Sequence, residues 1–178
     1  MALALLAFTA MSAASLQAQA QPTTPVAPAH EIPQSLVLEH RETMDRLTVL
    51  AQRPGQVGVI AGQALALFKR HTQREMDYIL PPLTLLPDLA DGHVTPDMRW
   101  ALVMADRVRA DREEIFQEHT EVTDVLNALL VAGQAAHDQE AVDFAPSAAT
   151  DSLNDIELLE PTVVMIGDVL RARLGESH

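Results

Sequence analysis

A chain of 178 residues with no cysteine and 3% aromatic residues can bury one hydrophobic core, and it must do so without disulfides or thiolate-bound metal. Twenty-five acidic residues against 12 basic ones give a formal charge of -13, which speaks against nucleic acid or an anionic membrane surface as a partner. Ala, Leu, Val, Glu and Arg dominate and β-branched runs are few, so the expected class is all-α, and any metal must be held by nitrogen and oxygen atoms.

Residues 1–20 form an apolar leader ending in Ala18-Gln19-Ala20, the pattern of a signal peptide cleaved before Gln21. The first basic residue is Arg41, so the charged start of a standard signal is missing, and Ser, Thr and Gln interrupt the apolar run too often for a membrane span. Export to the periplasm or the cell exterior, with no membrane attachment of the mature form, is the expectation. Residues 21–33, rich in Pro, Thr and Ala, read as a flexible linker, which places the folded domain at 34–174.

Four helices follow. Leu36, His40, Thr43 or Met44, Leu47 and Leu50 recur at helical spacing, and Pro54-Gly55 stops the first helix. Ile60, Ala64, Leu67, Phe68, His71, Glu75, Tyr78 and Ile79 mark a second, ended by Pro81-Pro82. Thr84 to Thr95, with Pro87 and Gly92, reads as a loop, and Thr95-Pro96 starts a third helix. Its inward face runs through Trp100, Val103 or Met104, Val108, Ile115, His119, Val122, Leu126 and Leu129 before Ala132 to Pro146 loosens it. The fourth helix carries Ala148, Asp151, Asp155, Leu158, Leu159, Thr162, Ile166 and Val169 inward. Four apolar stripes with modest connections are most simply buried in an antiparallel four-helix bundle.

An internal repeat runs through these helices. His40, His71, Glu75 and Pro81 have counterparts 79 or 80 residues later in His119, Asp151, Asp155 and Pro161. Each half therefore has a helix with one inward histidine, then a helix with an i, i+4 pair followed by proline. Polar side chains on an apolar face are costly unless hydrogen-bonded, paired or bound to an ion. Six of them on four inward faces suggest a metal site in the bundle core, with His40, His71, Glu75, His119, Asp151 and Asp155 as candidate ligands. Imidazole and carboxylate together suit iron, manganese or zinc.

With these residues the chain resembles the hemerythrin-like proteins over Gln34 to Leu174. The resemblance is carried by Glu39-His40, by H-x-x-x-E at His71 and Glu75, by L-P-P-L-x-L-L-P ending at Pro87 and by Glu118-His119. Phe144-Ala145 before a proline and Ile166-Gly167-Asp168 complete it. It implies an up-down-up-down bundle around a non-haem di-iron centre that binds or reacts with dioxygen. Two departures stand out. Met44 occupies the place of a second first-helix histidine, and Asp151 with Asp155 replaces H-x-x-x-E in the fourth helix. The resulting shell is more acidic than the hemerythrin pattern, which favours oxygen or iron sensing and storage over reversible carriage.

Each position also has a plainer reading. His71 with Glu75 is the spacing of an ordinary surface pair, His119 alone is most often a core histidine, and Asp151 and Asp155 near a helix start can serve as caps. His30, His93, His137 and His178 read as solvated, and Met76, Met98 and Met104 as core packing. Gly55, Gly58 and Gly62 form neither a P-loop nor a dinucleotide motif and ease a turn and close packing instead. Three functional classes remain open: an iron protein that binds or senses oxygen or iron, a metal-dependent oxidase, and a metal-free bundle that binds a partner.

Overall fold

The computed structural model describes residues 30–175, and the expected signal peptide (1–20) and most of the expected linker (21–33) lie outside the described residues. Among the described residues every regular element is helical. The helices are α1 (Gln34–Leu50), α2 (Gly55–Arg74), α3 (Leu86–Ala90), α4 (Trp100–Ala110), α5 (Arg112–Ala136), α6 (Gln139–Asn154) and α7 (Glu160–Leu174). None is long and apolar enough to cross a membrane.

Several junctions depart from the sequence pattern. The segment Ala132 to Pro146 is helical apart from a tight corner, where His137 takes a left-handed conformation (φ 54°) and Asp138 caps α6 by accepting the Ala141 N–H. Pro146 sits inside α6 on its solvent side, while Phe144, Ala145, Ala148 and Ala149 around it are buried. Packing outweighs the proline's lost hydrogen bond there, and water can serve the freed carbonyl. The expected third helix is broken by a bend at Asp111, whose carboxylate accepts from the Tyr78 hydroxyl at 3.0 Å and from Arg107 Nε at 3.3 Å. A 3₁₀ turn (Pro81–Leu85) runs directly into α3, so the first part of the expected loop from Thr84 to Thr95 is helical. Gly58 is required where the chain turns into α2, because a Cβ there would lie 1.9 Å from the Arg53 carbonyl oxygen.

Two wide π turns matter most for the site. Glu75–Ile79 extends α2, and Asp155–Leu159 joins α6 to α7. Each closes with a hydrogen bond across five residues, Leu80 N–H to the Glu75 carbonyl and Glu160 N–H to the Asp155 carbonyl, one residue before a proline. The proline has no N–H and its ring would strike the carbonyl four residues back, so a widened turn ahead of it removes the clash.

The apolar residues form two clusters. One joins Leu47 and Leu50 of α1, Ala61 and Phe68 of α2, Val122 and Leu129 of α5, and Phe144 and Ala148 of α6. The other joins Tyr78, Ile79 and Leu80, Ala105 and Val108 of α4, Ile115 of α5, and Val163 and Ile166 of α7, with Leu36 against it. The chain thus passes between the clusters four times, in alternating directions. On each passage polar residues interrupt the stripe: His40 lies between Leu36 and Leu47, and His71 with Glu75 between Phe68 and Tyr78. His119 lies between Ile115 and Val122, and Ser152 with Asp155 between Ala149 and Val163.

Candidate metal centre

All of these interrupting side chains are buried: His40 is 3% exposed, His71 and Glu75 1%, His119 0%, Ser152 2% and Asp155 8%. Helical spacing alone turns them inward, and two apolar clusters seal the belt from both ends.

In the first half, the His40 Nδ1–H donates to the Leu36 carbonyl 2.7 Å away, which commits Nε2 to Glu75 Oε2 at 2.5 Å. Burial pushes the His40 imidazole down, but the hydrogen bond and charge of Glu75 outweigh it and raise its pKa to about 9. Burial likewise works against the charge of Glu75, yet His71 and His40 beside it hold its pKa below the usual carboxylate value. The same Glu75 oxygen lies 3.2 Å from His71 Nε2, while Oε1 has no partner.

His71 connects the halves. Its ring stands edge-on to His119 with centroids 4.5 Å apart. Its Nδ1 faces Glu118 Oε1 at 3.5 Å, and Arg74 anchors Glu118 at 3.0 Å and Glu114 at 2.6 Å. Burial raises the Glu118 carboxyl, but His71 and Arg74 prevail and its pKa is lowered. A carboxylate behind one ring nitrogen fixes the other toward the centre, as it does in many metal sites.

In the second half, His119 Nδ1 is hydrogen-bonded to Ser152 Oγ at 3.0 Å, and Nε2 points toward Glu160 Oε1 at 3.4 Å. Burial and the neighbouring His71 lower the His119 pKa to about 4. Burial and the charge of Glu75 push Asp155 up to about 8 and Glu160 up to about 7. Among the described residues neither carboxylate has a hydrogen-bonded cation.

Ligand atoms of His40, His71 and Glu75 lie within 4.8 Å of one another, and so do those of His71, His119 and Asp155. Unpartnered buried atoms stand on both sides of this pair of groups: His71 Nε2, Glu75 Oε1, His119 Nε2 and Glu160 Oε1. Orphaned lone pairs on imidazole and carboxylate, deep in an apolar core, are the chemistry a cation satisfies. These buried groups can hold a metal ion.

Five of the six sequence candidates meet here. Asp151 does not: half-buried, it lines a small surface groove with Glu39, Glu42 and Arg46 one turn away. Two participants escape a 3.6-residue reading. Glu160 follows Asp155 by five residues, and the π turn brings that fifth residue back to the inward face, as it brings Leu80 after Glu75. The same phase shift leaves Leu158 61% exposed and turns Val163 inward in place of Thr162. Glu118 precedes a site histidine but lies on a neighbouring face and reaches His71 from the side. Among the remaining histidines, His30 stacks on Trp100 with centroids 3.8 Å apart, and exposed His93 faces Asp88.

No family model, no curated protein and no solved structure matches this chain.

Proposed function

We propose that the chain is a hemerythrin-like four-helix bundle that holds non-haem iron, as one ion or a pair, and serves in oxygen or iron binding or sensing. One observation carries this reading: two buried donor groups share His71, and His71 Nε2, Glu75 Oε1 and His119 Nε2 among them have no hydrogen-bond partner. The four alternating passages between the apolar clusters support the bundle, counting α4 with α5 and α6 with α7 as single bent rods.

His40, His71 and Glu75 would hold one side of the metal and His119, Asp155 and Glu160 the other. Iron held there supplies redox chemistry toward dioxygen. The chain supplies the frame for it. Leu36 and Ser152 hold the Nδ1 atoms of His40 and His119, so that each Nε2 is offered inward. Glu75 presents one oxygen to two imidazoles and keeps the other free. The apolar clusters above and below shield the two ends of the belt from water, and three carboxylates favour a higher metal charge over a lower one. That bias supports sensing or storage over reversible carriage.

The test is metal analysis of the purified full chain, then anaerobic reduction and re-exposure to air. Bound iron that reoxidises without a reversible oxy-spectrum is expected. A reversible oxy-spectrum refutes the sensing or storage assignment, and a chain that retains no iron, manganese or zinc refutes the metal reading.

A further inference from the structure

The Glu160 end of the site borders an open cleft of about 840 Å³, within the range of small-molecule pockets. Val108 and Phe116 line it from either side of the Asp111 bend, and Ile156, Pro161 and Val164 line it from the π turn and α7. Glu160 belongs to both cleft and centre: it is 6% exposed, and its unpartnered Oε1 stands 3.4 Å from His119 Nε2. Phe116 leaves 48% of its surface uncovered there, in a chain with four phenylalanines. At the matching position of the first half, Leu80 is 0% exposed and the turn after it buries Leu83 and Leu85. The repeat is therefore broken where a leucine gives way to a glutamate beside an open space.

The charges around the cleft define its ligand. Arg109 is taken up by Asp168 at 2.7 Å and Asp106 at 3.5 Å, and Glu113 accepts from Gln117 at 3.1 Å. Arg112 has neither a hydrogen bond nor an ion pair among the described residues. Apolar walls with one guanidinium that makes no hydrogen bond or ion pair, although its charge acts on Glu160, complement a molecule with an apolar body and a single negative charge.

We propose that this cleft binds a small organic acid, its apolar chain against Phe116, Ile156 and Val164 and its carboxylate on Arg112, with Glu160 standing between it and the histidine cluster. Binding in the cleft stands apart from the metal reading. The effect of binding on the centre rests on that reading.

Calorimetric titration of the metal-free full chain with octanoate, beside octan-1-ol and octylamine, tests the cleft. Saturable octanoate binding is expected, weakened at least tenfold by Arg112→Ala and by Val164→Trp, while Arg112→Ala leaves octan-1-ol unchanged. Arg112 is exposed, so its variant keeps the fold even where the bulkier one does not, and circular dichroism checks both. Absence of saturable octanoate binding, octylamine binding as tightly as octanoate, or wild-type affinity in Arg112→Ala overturns the proposal. With cobalt(II) loaded, octanoate should shift the visible bands with the calorimetric midpoint. Saturation without a shift overturns the link across Glu160. Octanoate binding to a chain that takes up no cobalt refutes the metal reading and upholds the cleft.

Discussion

Glu75 and Asp155 occupy matching places, each opening a π turn six residues before a proline, yet their surroundings differ. Glu75 lies between two histidines, one of them bound at 2.5 Å, so its charge is balanced inside the protein. Asp155 has no such partner, and a second buried carboxylate, Glu160, joins it where the first half has Leu80. A buried ion pair can persist by itself, whereas buried carboxylates without a cation must take up protons or bind one. The first half is self-sufficient, and the second half asks for a cation from outside.

Removing the side chain common to both donor groups should blur the distinction most. His71→Ala is expected to lose all retained metal, whereas His40→Ala and His119→Ala each lose part of it. Equal losses in the three variants, measured by elemental analysis after loading, would show that the groups are not joined through His71.

Stability of the metal-free protein separates the halves next. Glu75→Ala strands His40 and should cost on the order of 3–5 kcal/mol. Glu160→Leu, which copies the first half, should instead stabilise by about 1–3 kcal/mol, since it removes a carboxylate whose burial outweighs the attraction of Arg112. Urea denaturation reads both, and destabilisation by Glu160→Leu would mean that the carboxylate is satisfied in the metal-free state.

A pH series tests the same contrast. His40, Asp155 and Glu160 have folded pKa values of about 9, 8 and 7, all raised above their unfolded values. The folded chain then holds protons that the unfolded chain has released, and each contribution is lost as pH rises through the folded value. His119, lowered to about 4, acts oppositely, and its contribution is lost as pH falls from about 6.5 toward 4. The urea midpoint of metal-free protein should therefore fall between about pH 6.5 and 9, less steeply in Glu160→Leu. A flat profile over that range would contradict the protonated second half.

The smallest effect is expected at Asp151. Asp151→Asn should leave metal content unchanged and alter stability by less than about 0.5 kcal/mol, because the residue lies half-buried beside Glu39 in the surface groove. Loss of metal in this variant would place it in the shell after all.

Much of this was legible from spacing. His40, His71, Glu75 and His119 fall on apolar stripes at 3.6-residue period, and the 80-residue repeat ties Asp155 to Glu75. Glu160 was not legible, because a glutamate before a proline at a helix start is ordinarily a solvated residue matched to the helix dipole. The bend at Asp111 escaped as well, since neither Gly nor Pro marks it and its side-chain partner, Tyr78, lies 33 residues away.

The sequence by itself determined the all-helical class, the two-fold repeat and five of the side chains in the belt, because these depend on composition and local period. Only the tertiary structure decided which carboxylates complete the belt. The π turn resets the helical phase at Asp155, and packing α7 against α4, with Gly167 letting the helices close at Ala105, accompanies the inward turn of Glu160, while Asp151 on α6 lines a surface groove.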